Sequence, residues 1–239
     1  MNRGARVLAV HAGAVADLPH RDRTIRSAID KRPLDGRVRV AALGIDGDEH
    51  GDTVKHGGPE QALCVFAAEH YAHYERLLGG PLARPAFGEN LTTAGVGEHD
   101  VCVGDVLRIG SALCEVSAPR SPCYRVGARH AARRFPLWME ESGRTGFYLR
   151  VVRAGRLAAG DAVELVHRAH PHATIAACNR VKHRDRGDLA ATAALLVPAL
   201  GASWRATFER RLAGAVEDPA PRRFGPAGGR VSDGRPLPA

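Results

Sequence analysis

Pro119-Arg120-Ser121-Pro122-Cys123-Tyr124 has the sharpest chemical character in the chain. Two prolines stiffen a short loop directly behind an apolar, strand-like run, Leu113–Ser117, and a thiol stands at its end. Arg120, Arg125 and Arg129 lie close to it in sequence and would favour the thiolate, the form that acts as nucleophile or soft-metal ligand. A buried structural cysteine is the competing reading for Cys123. It is the expected one for Cys64, Cys102 and Cys114, which lie in apolar strand-like runs.

A second chemical segment runs from Gly44 to Glu60 and is dense in Gly, Asp and His. Paired glycines Gly57 and Gly58 beside Lys55 and His56 let backbone N–H groups approach an anion, with cationic help from the lysine. The same composition also suits a plain turn between strands. Asp48, His50, Asp52 and His56, or His70 with His73, are conceivable metal ligands, but neither set has a zinc-type spacing. In Phe87-Gly88-Glu89-Asn90-Leu91, the Asn90 amide can read the edge of a heterocycle or close its own turn.

The elements that must carry these segments are short. Alternating apolar and polar runs between Gly/Asp turns predict half-buried strands at Val7–Ala12, Val38–Leu43, Val101–Gly110, Ala112–Ser117, Gly146–Val152 and Ala162–Val166. Helices are expected over about 67–78, ended by Gly79-Gly80, and from Pro136 to Gly143. The fold class is therefore mainly β over residues 5–167, a barrel or sandwich with a few short helices. A small all-α annex of three short helices follows over 173–213, with Asp188 and Ser203 as expected N-caps. From Pro219 to the end, 219–239, the Pro/Gly/Arg-rich composition predicts little order.

The net charge of +8 is concentrated in the second half: residues 1–119 hold 13 Lys/Arg against 16 Asp/Glu, and residues 120–239 hold 21 against 10. A basic half fits a pocket for one phosphorylated small ligand with solvated arginines. Specific nucleic-acid binding, through the Asp188–Leu212 helices and Arg205, Arg210 and Arg211, ranks last, because aromatic interleaving and zinc-finger spacings are missing. No apolar run reaches the roughly 18 residues of a membrane span. An odd count of five cysteines without CxxC pairs points to free thiols and a reducing cytoplasm.

Taken together and in order, four blocks resemble a MOSC domain (molybdenum cofactor sulfurase C-terminal): His56-Gly57-Gly58-Pro59 with Ala62-Leu63-Cys64, Glu69-His70-Tyr71, Phe87–Leu91, and Pro119–Tyr124. The bacterial YiiM group is the most similar. Ser203-Trp204-Arg205 and Arg210-Arg211-Leu212 resemble its C-terminal three-helix domain, and the likeness spans roughly residues 5–224. It implies a β-barrel-like MOSC core and makes Gln61–Phe66 a strand feeding the helix. It further implies a molybdenum cofactor (molybdopterin), a pyranopterin dithiolene with a terminal phosphate, with Cys123 as catalytic residue and metal ligand. Lys31, Lys55, His56, Gly57, Gly58, Asn90, Arg120 and Ser121 would share the cofactor-binding cavity. Gln61 stands where many MOSC proteins have Lys, which removes one cationic contact. The implied activity is reduction of N-hydroxylated small molecules, hydroxylaminopurines and amidoxime-like compounds, to amines. Electrons would come from a separate flavin or iron–sulfur reductase, since the chain has no GxGxxG fingerprint. The alternative is a sulfur-carrier module holding a persulfide on Cys123.

Overall fold

The protein is described from a computed structural model covering residues 4–52 and 57–225. Thirteen short strands appear in it: β1 (Arg6–Ala12), β2 (Ala16–His20), β3 (Arg23–Ser27), β4 (Arg32–Pro33), β5 (Val38–Ala41), β6 (Gly44–Ile45), β7 (Leu63–Ala67), β8 (Leu91–Ala94), β9 (Val106–Ile109), β10 (Ala112–Pro119), β11 (Phe147–Arg153), β12 (Gly155–Leu157) and β13 (Val163–His167). Eight form one curled sheet in the order β13-β9-β10-β11-β7-β8-β1-β4, an open half-barrel rather than a closed one. Only the β7–β8 pair among its ladders is parallel. A hairpin (β2, β3) and a small sheet (β12-β5-β6) complete the β part.

Alternation along the central strands divides the interior in two. Leu63 and Val65 of β7, Leu149 and Phe147 of β11, and Val116 and Ala118 of β10 enter one large aliphatic core. Phe66, on the other face of β7, joins a second, aromatic core with Tyr71, Tyr74, Phe87 and Phe135, in which Phe66 stacks on Phe87 at a ring separation of 4.1 Å. Every residue of β7 is thus buried, and its sequence reads as a continuous apolar run. The aromatic core supports α1 (Tyr71–Leu78), α2 (Tyr124–Arg129) and α3 (Phe135–Ser142). α1 and α3 end at Gly79 and Gly143, whose φ values of 76° and 70° are left-handed and favour glycine.

The C-terminal domain consists of α4 (Ile175–His183), α5 (Leu189–Ala194) and α6 (Ala202–Leu212). Ile175, Cys178, Val181, Trp204 and Phe208 from these helices are continuous with the aliphatic core of the sheet. Thr174 and Asp188 cap α4 and α5 by accepting from Ala177 N and Ala191 N. α6 is preceded by Gly201, so Ser203 lies inside its first turn and is not the expected cap. Two further sequence expectations need correction. Val101–Gly110 is not one strand: Cys102 sits in a turn fixed by its N–H donating to Asp105 Oδ2 (2.9 Å), and the ladder begins only at Val106. The segment expected to lack order from Pro219 starts instead with a helix, α7 (Ala220–Phe224), held by Arg222 and Arg223, both bonded to the buried Glu140 of α3. Residues 226–239 lie outside the described residues. Among the described residues, no helix is long and apolar enough to cross a membrane.

Candidate functional site

One pocket collects the ends of β3, β7, β10 and β11 with the loops that flank them. Lys31, Gly57, Asn90, Arg120, Ser121 and Cys123 all line it, as do Gln61, Cys64 and Tyr148. Of the other expected residues, Gly58 is not in the lining. It precedes the short 3-10 turn Pro59–Gln61. Lys55 and His56 lie outside the described residues, although the flanking Asp52 and Gly57 both reach the pocket. Gly57 has a φ of 81°, and a Cβ there would come within 2.7 Å of the His50 ring. Only glycine lets the backbone and that imidazole share this wall.

The pocket floor follows from strand register. Tyr148 of β11 pairs with Cys64 of β7, so both side chains emerge on the face opposite Leu63, Val65, Phe147 and Leu149. Cys64 is therefore a pocket residue and not only a structural one, which corrects the sequence expectation. Cys114, on β10, does belong to the aliphatic core. Burial pushes the Cys64 thiol up to about 11, and burial with the nearby Cys64 raises the Tyr148 phenol. Both groups stay neutral near pH 7.

Arg120 follows the last residue of β10, and its N–H donates to Gly146 O (3.0 Å). Its side chain is 6% exposed, and among the described residues its Nη1 has no hydrogen-bond partner. Burial opposes the charge of Arg120, but the neighbouring acids Cys64, Tyr148 and Cys123 raise its pKa on balance. A buried guanidinium with an unused donor, opening on a pocket, is a waiting anion partner. Arg125 of α2 also lines the pocket and pairs with Asp52 at 3.2 Å. Arg129, expected to act on Cys123, instead donates to Ile29 O and Pro85 O and pairs with Asp30.

Asn90 serves differently from expectation. Its Oδ1 accepts from Cys64 N (3.0 Å), and its Nδ2 donates to His11 O (3.2 Å) and Asp48 Oδ2 (2.8 Å). With both N–H bonds used, it is a strut tying β7 to β1 and to the Asp48 turn. Lys31 forms a buried ion pair with Asp48, which also accepts from Gly13 N (2.8 Å). One carboxylate thus leaves the Lys31 ammonium with further donors beside the pocket. Glu89, fully buried, is likewise structural: Tyr71 Oη, Thr92 Oγ1 (3.0 Å) and Phe87 N (3.0 Å) all donate to it. No cluster of His, Cys, Asp and Glu among the described residues has the form of a self-contained metal site.

The family description "MOSC domain" matches residues 52–164, and "YiiM-like, 3-alpha helix domain" matches residues 174–215. The chain is 38% identical to the uncharacterized protein YflK of Bacillus subtilis over 206 residues, 86% of this chain and 93% of that protein. It is 36% identical over 203 residues to protein YiiM of Escherichia coli, 83% of this chain and 91% of that protein. A crystal structure of YiiM from Escherichia coli superposes with a TM-score of 0.76 at 30% identity, covering 94% of this chain and all of that one. A protein of Gibberella moniliformis named "Reductase" is 35% identical over 164 residues, 66% of this chain but 28% of its own length.

Proposed function

The chain belongs to the MOSC domain family, in the form that adds a YiiM-like three-helix domain, and on that premise we propose that it is a molybdenum-cofactor-dependent reductase of N-hydroxylated compounds. The observation that carries this reading is the buried, partly unpartnered Arg120 guanidinium in the same pocket as the Cys123 thiol. A pyranopterin ligand with a phosphate and a soft metal needs that pairing: a cation that loses nothing by meeting an anion, and a sulfur donor.

Cys123 would hold the metal, Arg120 and Lys31 would face the anionic part, and Gly57 would allow close approach of the backbone. When bound, the cofactor supplies two-electron oxygen removal, in which the N–O bond breaks and R–NHOH with two electrons and two protons gives R–NH2 and water. The neutral Cys64 and Tyr148 side chains keep extra negative charge out of the cavity. Electrons would come from a separate flavin or iron–sulfur reductase. The fungal relative, of which this chain matches only a part, is consistent with such an activity. Five buried cysteines, none of them in a disulfide among the described residues, suit a reducing cytoplasm.

The test is reduction of 6-N-hydroxylaminopurine and benzamidoxime by protein made in a host that synthesises the cofactor, with a reduced dye as electron source. Turnover that follows molybdenum content supports the proposal. Protein without molybdenum that carries a persulfide on Cys123 would replace it with the sulfur-carrier reading.

A further inference from the structure

The four residues 120–123 join β10 to α2 and present Cys123 to the pocket. Their hydrogen bonds come in part from outside the MOSC core. Lys182 of α4 reaches Ser121, its Nζ lying 3.4 Å from Ser121 Oγ. Arg222 of α7 donates from Nη1 to Pro122 O, and the same nitrogen donates to Glu140 Oε1 (2.8 Å).

Both donors are themselves held. Lys182 is 3% exposed, its ammonium lies 4.0 Å from the centre of the Trp204 ring, and its backbone carbonyl accepts from Arg211 Nη2 (3.1 Å). Arg223 donates to Glu140 Oε2 from Nε (3.0 Å), and Arg21 of the β2–β3 turn donates to Phe224 O (2.8 Å), fixing α7 at its far end. A proline carbonyl next to a cysteine is a short lever. Its amide plane sets where the Cys123 Cα, and so the sulfur, must lie.

We infer that the three-helix domain and α7 form a clamp on the Cys123 loop, with Lys182 acting through Ser121 and Arg222 acting through the Pro122 carbonyl as positioning residues for the Cys123 sulfur. Burial favours the same arrangement at Lys182, since an amine this deep needs a fixed acceptor. The clamp goes beyond the reductase reading and does not depend on it, because any chemistry at Cys123 needs a fixed sulfur.

The experiment measures iodoacetamide alkylation of Cys123 by mass spectrometry on the full chain without cofactor. With Cys123 only 9% exposed, a loosened loop speeds its modification. Arg222→Ala should raise the rate about tenfold, and Lys182→Met or Ser121→Ala about threefold each. The double variant Lys182→Met/Ser121→Ala should be no faster than either single one, because both remove the same contact. Ile109→Val, a truncation in the aliphatic core on β9 that touches neither the loop nor its two donors, should leave the rate within about twofold of the parent. Unchanged rates in folded Arg222→Ala and Ser121→Ala would overturn the clamp. Equal acceleration in Ile109→Val would do so too, by reducing the effect to general loosening. If Arg222→Ala does not fold, Ser121→Ala decides alone.

Discussion

Arg120 and Glu140 are both buried charges, 6% and 4% exposed; Arg120 begins the Cys123 loop, and Glu140 meets that loop through Arg222. Glu140 is saturated. Arg222 and Arg223 bond it and His183 Nδ1 lies 3.4 Å away, so although burial works against the carboxylate, Arg223 and Arg222 hold its pKa below the usual range. Arg120, by contrast, keeps an unused Nη1. A saturated charge does structural work. An unsaturated one in a pocket is held ready for something the chain does not itself contain.

Substitutions can break this contrast, and the largest effect belongs to the Cys123 loop itself. Cys123→Ala should reduce turnover of N-hydroxylated substrates to background while changing unfolding free energy by less than about 1 kcal/mol, since a small side chain in a loop buries little area. Activity assays beside urea unfolding check both halves. Next comes Glu140→Ala, which leaves two partly buried arginines facing each other and should cost about 3 kcal/mol of stability. Arg120→Met should do the reverse: stability equal to or above the parent, with none of the thermal stabilisation that millimolar pyrophosphate is expected to give the parent. If Arg120→Met destabilised as much as Glu140→Ala, the contrast between the two charges would be gone.

A pH effect sharpens the Glu140 side. His183 beside it is pushed down to about 3, chiefly by burial, so it is neutral when folded but takes a proton near pH 6.5 when unfolded. The unfolded state then binds more protons between those values, and stability falls as pH drops from about 6.5 toward 3. Urea unfolding across that range should show a shallower slope for His183→Gln than for the parent. A comparable effect lies at alkaline pH. Burial lowers Lys182 from 10.5 to about 7, so the unfolded chain again binds more protons and stability rises as pH climbs through that window. Lys182→Met should flatten that rise.

Much of the scaffold was legible in sequence because period-two strands, Gly79 and Gly143 as helix stops, and the Asp188 cap each act locally. What was not legible depends on register and distance. Cys64 looked structural because β7 is buried on both faces, and only its pairing with Tyr148 reveals which face opens on the pocket. Asn90 looked like a ligand donor because nothing local shows that Cys64, His11 and Asp48 use its amide. Arg222 and Arg223 lie 82 and 83 residues beyond Glu140 in a tract whose composition promised no order, so their clamp was invisible. Cys123 and Arg120 stood out because two prolines and an arginine beside a thiol are a local pattern.

The most direct measurement is the molybdenum and phosphate content of wild-type, Arg120→Met and Cys123→Ala proteins purified from a host that makes the cofactor. A pocket built around an unsatisfied guanidinium and a thiol predicts near-stoichiometric molybdenum in the wild type. It predicts strong loss of both metal and pterin phosphate in Arg120→Met. In Cys123→Ala it predicts partial retention without activity. Wild-type protein that reduces N-hydroxylated substrates while free of molybdenum, or Arg120→Met that loads as fully as wild type, would contradict it.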